Sequence, residues 1–315
     1  MILSIHASTL AIDPGERFSC AMDVMHELRT LLKRHGQEGA VETAVPGLTL
    51  FASQTLTEPM PVMYEPVLCL MLDGAKQLAV GDRVFRYQAG DHLAVSVDLP
   101  VSGHVIRAPY SALSVNLDPA AIAALTLETG EVPDTADAGP LSIHPADPEL
   151  LETVLRLVRL LDRPSDIPVL APMIEREILW RLLNGPSGAM VRQMGAADSR
   201  LSRIGRVLNW LRDRYADPIR VETLADMAGM SAATFHRHFK AVTHMSPLQY
   251  QKRIRLLEAR TRLLAQGSDV SGIGFSVGYD SPSQFSREYA RLFGEPPGRD
   301  QARLRGMSAV ERAVA

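Results

Sequence analysis

Two arginines, Arg237 and Arg287, occupy the same place in a pattern that the chain uses twice. Each follows a phenylalanine by two residues and precedes a second aromatic residue by two, and the two copies lie 50 residues apart. In a helix, the aromatic residues at i and i+4 share one face and the arginine lies on another. A guanidinium group can donate two hydrogen bonds to O6 and N7 of guanine. The spacing therefore predicts two equivalent helices that read base edges.

Other polar side chains share the outward face of these two predicted helices. On the first helix, predicted over residues 231–243, and on the second, the outward residues are Ala233, Thr234, His236, Arg237, Lys240, Ser283, Gln284, Ser286 and Arg287. Glutamine can pair with adenine, and the methyl groups of alanine and threonine can contact a thymine methyl group. Arg237 could instead bind only phosphate or an acidic neighbour. Ser281 is predicted to cap the second helix.

The elements around these helices form two helix-turn-helix patterns. In each copy a short helix precedes a turn that contains Gly229 or Gly278, and the second turn is predicted to be one residue longer. A connecting helix over residues 247–264 spans about 27 Å, which is shorter than the roughly 34 Å between neighbouring major-groove faces. Both helices can thus contact one side of a duplex. The connector arginines are predicted to meet phosphates or solvent: Arg253, Arg255, Arg260 and Arg262.

The charge distribution differs between the two parts of the chain. Residues 198–305 contain 18 basic and 11 acidic residues, whereas residues 1–197 contain 14 basic and 24 acidic residues. A basic module beside an acidic one indicates an anionic partner for the first alone, and double-stranded DNA is the leading candidate. The alternative is that the charges only solvate helices.

The N-terminal part has the pattern of an antiparallel β structure. Short apolar runs alternate with turn signals such as 73–74, 81–82 and 89–91. The runs cover residues 48–52, 67–72, 77–80, 84–87, 92–97, 103–106 and 112–117. We predict an α+β chain with an N-terminal cupin-like antiparallel β-barrel and flanking helices, one of them over residues 16–34. An all-α domain with two helix-turn-helix units follows.

Three segments are predicted along the chain: a sensor domain at 1–140, a helical linker or dimerisation region at 141–197, and the DNA-binding domain at 198–305. Residues 126–140 suit a linker, and helices are predicted over 148–161 and 172–183. Ile174, Ile178 and Leu182 form an apolar stripe on the latter helix. Such a stripe packs against its own domain or forms the seam of a homodimer, and the sequence leaves both alternatives open.

Few residues in the predicted barrel suit metal chemistry. His92 and His104 are isolated there, and two cysteines in the whole chain exclude a four-cysteine zinc site. We therefore expect no metal and no cofactor, and a cupin-type metalloenzyme fused to a DNA-binding module is the disfavoured alternative. No run of about 18 apolar residues occurs, so we expect a cytoplasmic protein that has no membrane partner.

The stretch 278–289 (GYDSPSQFSREY) is followed by Phe293-Gly294 and Pro296-Pro297. With these motifs, residues 201–299 resemble the DNA-binding region of the AraC/XylS family of transcription regulators. Residues 45–125 resemble the AraC-type N-terminal domain at 60–66 (MPVMYEP), 74–76 (GAK) and 97–101 (VDLPV). The family commonly has alanine where this chain has Gly274, and glycine lowers helix propensity by about 1 kcal/mol, so the second unit is predicted to be looser.

The resemblance implies a transcription regulator rather than an enzyme, usually an activator of nearby promoters. A small-molecule effector bound in the barrel would control it, and RNA polymerase would be a partner. Some regulators with a similar N-terminal domain respond to aldehydes, which makes Cys69 a candidate electrophile sensor. The other interpretation is that Cys69 is an inert core residue, since reactivity requires a thiolate and a nearby cation or accessible pocket.

Overall fold

The computed structural model describes residues 14–129, 139–196, 199–266 and 269–306. Within these ranges an antiparallel sheet with five helices is followed by a helical domain. The predicted α+β class, with a sheet domain before a helix-turn-helix domain, is confirmed.

The N-terminal sheet has eight strands in the part of the chain that the structure describes. They are β1 (Gly39–Glu42), β2 (Leu48–Ser53), β3 (Met60–Tyr64), β4 (Val67–Val80), β5 (Arg83–Gln88), β6 (Asp91–Val95), β7 (Leu99–Asn116) and β8 (Leu141–Pro145). Their order is β1-β2-β7-β4-β6-β8, with β3 added to β7 and β5 to β4, and every pairing is antiparallel. The long strands β4 and β7 therefore form the spine that both parts of the sheet share.

The lengths of β4 and β7 differ from the predicted strand boundaries, because each of these strands joins two predicted strands. The runs 67–72 and 77–80 belong to one strand, β4, and the runs 103–106 and 112–117 both belong to β7. The predicted turn at Asp73-Gly74 is instead a bulged stretch where the β4–β7 register shifts. Gly74 has φ +81°, and a Cβ atom there would lie 2.4 Å from the Arg107 carbonyl oxygen. Glycine is needed because the two backbones approach closely at this bulge.

Five helices flank the sheet: α1 (Pro14–His35), α2 (Pro119–Thr129), α3 (Pro148–Arg159), α4 (Ile167–Asn184) and α5 (Gly188–Gly195). Helix α3 packs between α1 and α4, and Asp147 caps it by accepting a hydrogen bond from the Leu150 amide. The predicted linker at 126–140 starts inside α2, and its residues 130–138 lie outside the described ranges. Strand β8, in the segment predicted to be helical, pairs with β6.

Helix α4 corrects two predictions. It begins at Ile167 rather than at Pro172, which lies inside the helix. The side chains of Ile174, Ile178 and Leu182 are buried in the hydrophobic core of the chain itself. They are not available for a dimer seam, so of the two alternatives left open by the sequence the structure supports packing within the domain.

Seven helices lie in the described residues of the C-terminal domain: α6 (Arg200–Asp213), α7 (Val221–Met227), α8 (Ala232–Thr243), α9 (Pro247–Gln266), α10 (Val270–Ser276), α11 (Pro282–Phe293) and α12 (Pro297–Gly306). Helices α7–α8 and α10–α11 form the two helix-turn-helix units, and α9 connects them. With 20 residues, α9 is about 30 Å long. The first unit shares a continuous core with the sheet domain, whereas the second has a core of its own.

Candidate nucleic-acid interface

Helix α8 presents the first predicted reading surface. Its N-terminus is capped by Ser231, whose hydroxyl accepts a hydrogen bond from the Thr234 amide at 3.3 Å. Phe235 and Phe239 are fully buried, with ring centroids 5.4 Å apart. Gly229 makes the preceding turn with φ +63°, a conformation that glycine adopts without steric cost. The buried aromatic pair thus fixes which face of α8 is directed to solvent.

Helix α11 repeats this construction in the second unit. Ser281 caps it as predicted by accepting from the Gln284 amide at 3.4 Å, and Phe285 and Tyr289 are buried. Gly278 makes the turn with φ +90°. Five residues separate α10 from α11 and four separate α7 from α8, so the prediction of a longer second turn is confirmed.

The predicted contact residues lie on the outward faces of the two helices. Those exposed to solvent are Ala233, His236, Arg237, Lys240, Ser283, Gln284 and Arg287. Thr234 and Ser286 are half-buried, and Thr234 also accepts a hydrogen bond from the Ser231 hydroxyl at 3.0 Å. Among the described residues, neither Arg237 nor Arg287 has an ion-pair partner. Both guanidinium groups are therefore available to an external anion or base edge.

Three of the four connector arginines, Arg255, Arg260 and Arg262, do not follow the prediction. Arg255 donates hydrogen bonds to the carbonyl oxygens of Tyr215, Ala216, Asp217 and Gly278. It joins the end of the α6 segment to the second turn, and desolvation lowers the pKa of this guanidinium. Arg262 donates to Glu258 and Tyr215. These two side chains bind protein groups rather than phosphate. Glu258 lies at helical i,i+4 spacing from Arg262, but Tyr215 and Gly278 are too distant in sequence for spacing to reveal.

Arg260 is the clearest correction. It is buried and donates to both carboxylate oxygens of Asp300, at 2.9 and 3.1 Å. Tyr289 donates to the same carboxylate at 2.8 Å, and Arg260 stacks over the Phe293 ring with its guanidinium carbon 4.4 Å from the ring centroid. This ion pair fastens α12 to α9 and α11. Arg260 is therefore structural, not a phosphate contact.

A second candidate site is a cavity of about 290 Å³ in the sheet domain. Strands β2, β3, β4, β5 and β7 line it, and both Lys76 and Cys69 border it. Burial raises the pKa of the Cys69 thiol to about 12 although Lys76 opposes the shift. The cavity supplies both the cation and the pocket that an electrophile sensor needs. The thiol nevertheless stays protonated at neutral pH, which favours the inert interpretation of Cys69.

The sheet domain also contacts the two helices that flank the first helix-turn-helix unit, α6 and α9. Tyr250 on α9 donates a hydrogen bond to the Asp98 carbonyl oxygen at 3.0 Å. Arg212 on α6 lies 2.8 Å from a Glu65 carboxylate oxygen and 2.9 Å from Asp98 Oδ2. The contact with Asp98 lacks hydrogen-bond geometry, and burial raises the pKa of Asp98 to about 6 although Arg212 opposes the shift. Sequence analysis missed this contact because it joins residues more than 100 positions apart.

His92 is not isolated, contrary to the sequence expectation. It lies opposite His144 in the β6–β8 register, with ring centroids 6.0 Å apart, and its Nε2 is 3.2 Å from the Ser187 hydroxyl. Desolvation, followed by the charge of His144, lowers the pKa of His92 to about 4. In the four described ranges no three His, Cys, Asp or Glu side chains converge in a group that could hold a metal ion.

No helix within the described part of the chain is both long enough and apolar enough to cross a membrane.

Two family models match the chain. Residues 44–190 match the AraC-type transcriptional regulator N-terminus, and residues 224–303 match a helix-turn-helix domain. The first match includes strands β2 to β8 and helices α2 to α4, and the second includes both predicted reading helices. Each recognition made from sequence motifs is therefore confirmed by an independent match.

The chain is also similar to curated regulators. It is 31% identical over 153 residues to the HTH-type transcriptional activator RhaS of Escherichia fergusonii, which covers 48% of this chain and 54% of that protein. It is 32% identical over 105 residues to RhaS of Yersinia pestis, covering 33% and 38%. The alignments thus span about half or less of these relatives. Apo ToxT from Vibrio cholerae shares the fold, with a TM-score of 0.55, 7% identity, and coverage of 83% of this chain and 99% of that one.

Proposed function

We propose that this chain, which belongs to the AraC family of transcription regulators through both of its domains, binds duplex DNA in a sequence-specific manner and activates transcription. The observation that carries the proposal is the equivalent placement of Arg237 and Arg287. Each is exposed on a capped helix whose opposite face is locked by buried aromatic residues. Arginines held in this way can donate two hydrogen bonds to one base and so discriminate between bases in the major groove. RNA polymerase is the expected protein partner of such an activator.

We place a homodimer seam on the outer face of α4 rather than on its buried stripe. Val169, Met173 and Trp180 follow one another at helical spacing and are 66%, 64% and 36% exposed. Apolar side chains aligned on one helix face favour association with an equivalent face. A Met173→Glu variant would then sediment as a folded monomer, while an unchanged dimer would exclude this face.

The sheet domain acts in this proposal as the sensor of a small-molecule effector. Strand β3 lines the cavity that contains Lys76, and it also borders a groove against α9 and Arg212. A ligand that shifts β3 would therefore alter the support of the first helix-turn-helix unit. The contacts of Asp98 with Arg212 and Tyr250 give this signal a direct route.

The experiment that tests the DNA-binding proposal uses the full-length protein. Selection from random duplexes should yield a consensus site, and Arg237→Ala and Arg287→Ala should each relax one base position, weakening binding to that site by about 1 to 3 kcal/mol. Arg163→Ala is the matched control because Arg163 is exposed on the sensor side of the chain, away from both helices. If both recognition-helix variants kept the wild-type preference at fixed salt, the base-reading assignment would be wrong.

A further inference from the structure

The turn between β4 and β5 lies against the end of the first predicted reading helix. Val80 pairs with Arg83 in the β4–β5 register, so residues 81–82 form the turn. A Cβ atom on Gly81 would lie 2.5 Å from His244 Cβ and 2.7 Å from the His244 carbonyl oxygen. His244 is the C-cap of α8. The sensor domain thus reaches the same helix that carries the predicted contact residues of the first unit.

The turn meets α8 on the side that bears its outward residues. Seven residues separate Arg237 from His244, which is almost two helical turns, so both lie on one face of α8, about 10 Å apart along the axis. Lys240 lies between them, one turn before His244, and it is exposed. The predicted reading face of α8 therefore ends at the β4–β5 turn.

Arg83 places a positive charge at the end of this face. Its side chain is exposed, and within the described ranges no carboxylate forms an ion pair with it, its exposed neighbour Asp82 included. Burial lowers the pKa of His244, and the charge of Arg83 lowers it further while Asp82 opposes the shift. The Arg83 charge is therefore close enough to the helix end to act on the imidazole. Arg83 thus extends the row of exposed cations that Arg237 and Lys240 begin on α8.

A duplex read by α8 would bring phosphates to this turn. A recognition helix contacts base edges with its N-terminal residues, and the major groove is about 12 Å wide. Helix α8 has 12 residues and is about 18 Å long, so its C-terminal end lies at the wall of the groove when its N-terminal half reads bases. A cation at that end meets the sugar-phosphate backbone rather than a base edge.

We propose that the β4–β5 hairpin of the sensor domain contacts duplex DNA beside the first helix-turn-helix unit, with Arg83 donating hydrogen bonds to a phosphate that flanks the bases read by α8. The inference rests on the proposed function, since it adds a second element to the proposed DNA interface. A phosphate contact contributes affinity and fixes the position of the protein but carries no sequence information. A ligand that moves this hairpin would therefore change the affinity for all sequences alike.

The test measures DNA binding by the full-length protein at several salt concentrations, with the selected consensus duplex and with an unrelated duplex. Arg83→Gln should weaken binding to both duplexes by the same factor, about threefold to eightfold at roughly 0.1 M salt, because one fewer phosphate is neutralised. The slope of the logarithm of affinity against the logarithm of salt concentration should decrease in magnitude by about 1. Ethylation interference should lose one phosphate position next to the half-site of the first unit.

Arg86→Gln is the matched control, because it removes the same charge from the same strand. Alternation places Arg86 on the opposite face of β5 from Arg83, and its guanidinium donates to Gln77 at 2.8 Å. Its replacement should leave the salt dependence and the interference pattern unchanged. Both arginines are exposed, so the urea denaturation midpoints of the two variants should match that of the wild-type protein, which excludes misfolding as the cause of weaker binding.

Three results would overturn the proposal. An unchanged salt slope in Arg83→Gln, while Arg237→Ala still relaxes its base position, would remove the hairpin from the interface and leave the proposed function intact. An equal loss of affinity in Arg86→Gln would show a general effect of net charge rather than a contact. Tighter binding by Arg83→Gln would show that the hairpin hinders DNA. A wild-type protein that binds no duplex would refute the proposed function and this inference together.

Discussion

The two helix-turn-helix units share a motif but differ in what surrounds them. The core of the first unit continues into the sheet domain, and Tyr250 and Arg212 contact that domain through Asp98. The second unit has its own small core of eight buried residues, extended by the ion pair between Arg260 and Asp300. It meets the sheet domain through β3 and an exposed pair in which Arg303 lies 3.9 Å from Glu58.

This difference indicates unequal roles in regulation. A structural change in the sensor reaches the first unit through a packed core and buried contacts, which respond together because dense packing transmits strain. The second unit is reached mainly through α9. We infer that the first unit is the one whose position the effector controls, while the second depends for its stability on its own polar network.

The largest effect is expected for a variant that tests whether the second unit unfolds independently of the first. Arg260→Met would leave the fully buried Asp300 carboxylate without its main partner, which costs about 3 to 5 kcal/mol. The remaining contacts of Asp300 with Tyr289 and Arg303 favour the lower end of that range. Hydrogen exchange measured by mass spectrometry should show faster opening of residues 270–306, with little change in α8.

Lys252→Met is the matched control for this variant. Lys252 forms a pair with Glu288 in which its side chain is 50% exposed, and such surface pairs contribute less than about 1 kcal/mol. Adding Asp300→Leu to Arg260→Met should restore part of the lost stability, because the uncompensated charge is removed. If Arg260→Met accelerated hydrogen exchange equally in both helix-turn-helix units, the two units would be shown to unfold together.

The motif could be predicted from sequence because its determinants are local. Phe235 and Phe285 are buried at the positions that spacing indicates, and both caps and both turn glycines depend on neighbouring residues. Gly274 illustrates the limit of local reasoning. Helix propensity alone predicts that alanine would be better there, but a Cβ atom would lie 2.9 Å from Cδ1 of the buried Phe285. Glycine allows α10 to approach α11.

The remaining features depend on partners that are distant in sequence. Arg255 and Arg260 bind groups 23 to 40 residues away. Their positive charge suggested phosphate contacts, whereas in the structure both side chains hold protein segments together. Alternation predicted apolar strands correctly, but it could not reveal the bulges that bring Lys76 beside Cys69. The buried stripe of α4 was compatible with two surroundings, and the packing of α2, α3 and α5 against α4 decides between them.

The next prediction concerns the buried contact between the sensor and the first unit. Asp98 has a folded-state pKa of about 6 against its usual 3.8, so the folded protein binds more protons between these values. The stability due to protonated Asp98 is fully present below about pH 4 and is lost as pH rises through 6. The difference corresponds to about 3 kcal/mol. Asp98→Asn should remove this part of the pH dependence in urea denaturation.

Glu42→Gln is the control for Asp98→Asn, because Glu42 is exposed on β1 and is not among the charges that shift the pKa of Asp98, so its loss should leave the slope of stability against pH nearly unchanged. The difference between the two units also predicts where in the chain the effect should occur. The pH-dependent change in hydrogen exchange should be concentrated in α6 and the start of α9. A slope in Asp98→Asn equal to that of the wild-type protein would show that Asp98 is not the responsible group.

The smallest expected effect tests the close approach between the β4–β5 turn and the end of α8. Gly81 has φ +60°, and a Cβ atom there would lie 2.5 Å from His244 Cβ. Gly90 also has positive φ, at +90°, but a Cβ atom there would meet nothing within 4 Å. Gly90→Ala therefore measures the backbone strain alone, about 1 to 2 kcal/mol. Gly81→Ala should cost about 2 kcal/mol more, since overpacking adds to the strain.

His244 offers a way to identify the cause of that extra cost. It ends α8 in the left-handed conformation with φ +56°, at the place where the second unit has Gly294 with φ +84°. A Gly81→Ala, His244→Gly double variant removes the nearest atom that the new methyl group meets and relieves the strain at 244. The His244 carbonyl oxygen, 2.7 Å from the added Cβ atom, remains, so the double variant should recover only part of the difference from Gly90→Ala in denaturation experiments. Because Gly294 has no comparable neighbour within 4 Å, Gly294→Ala should show only the strain. Failure of the double variant to recover any stability would mean that the His244 side chain is not the source of the extra cost at this turn.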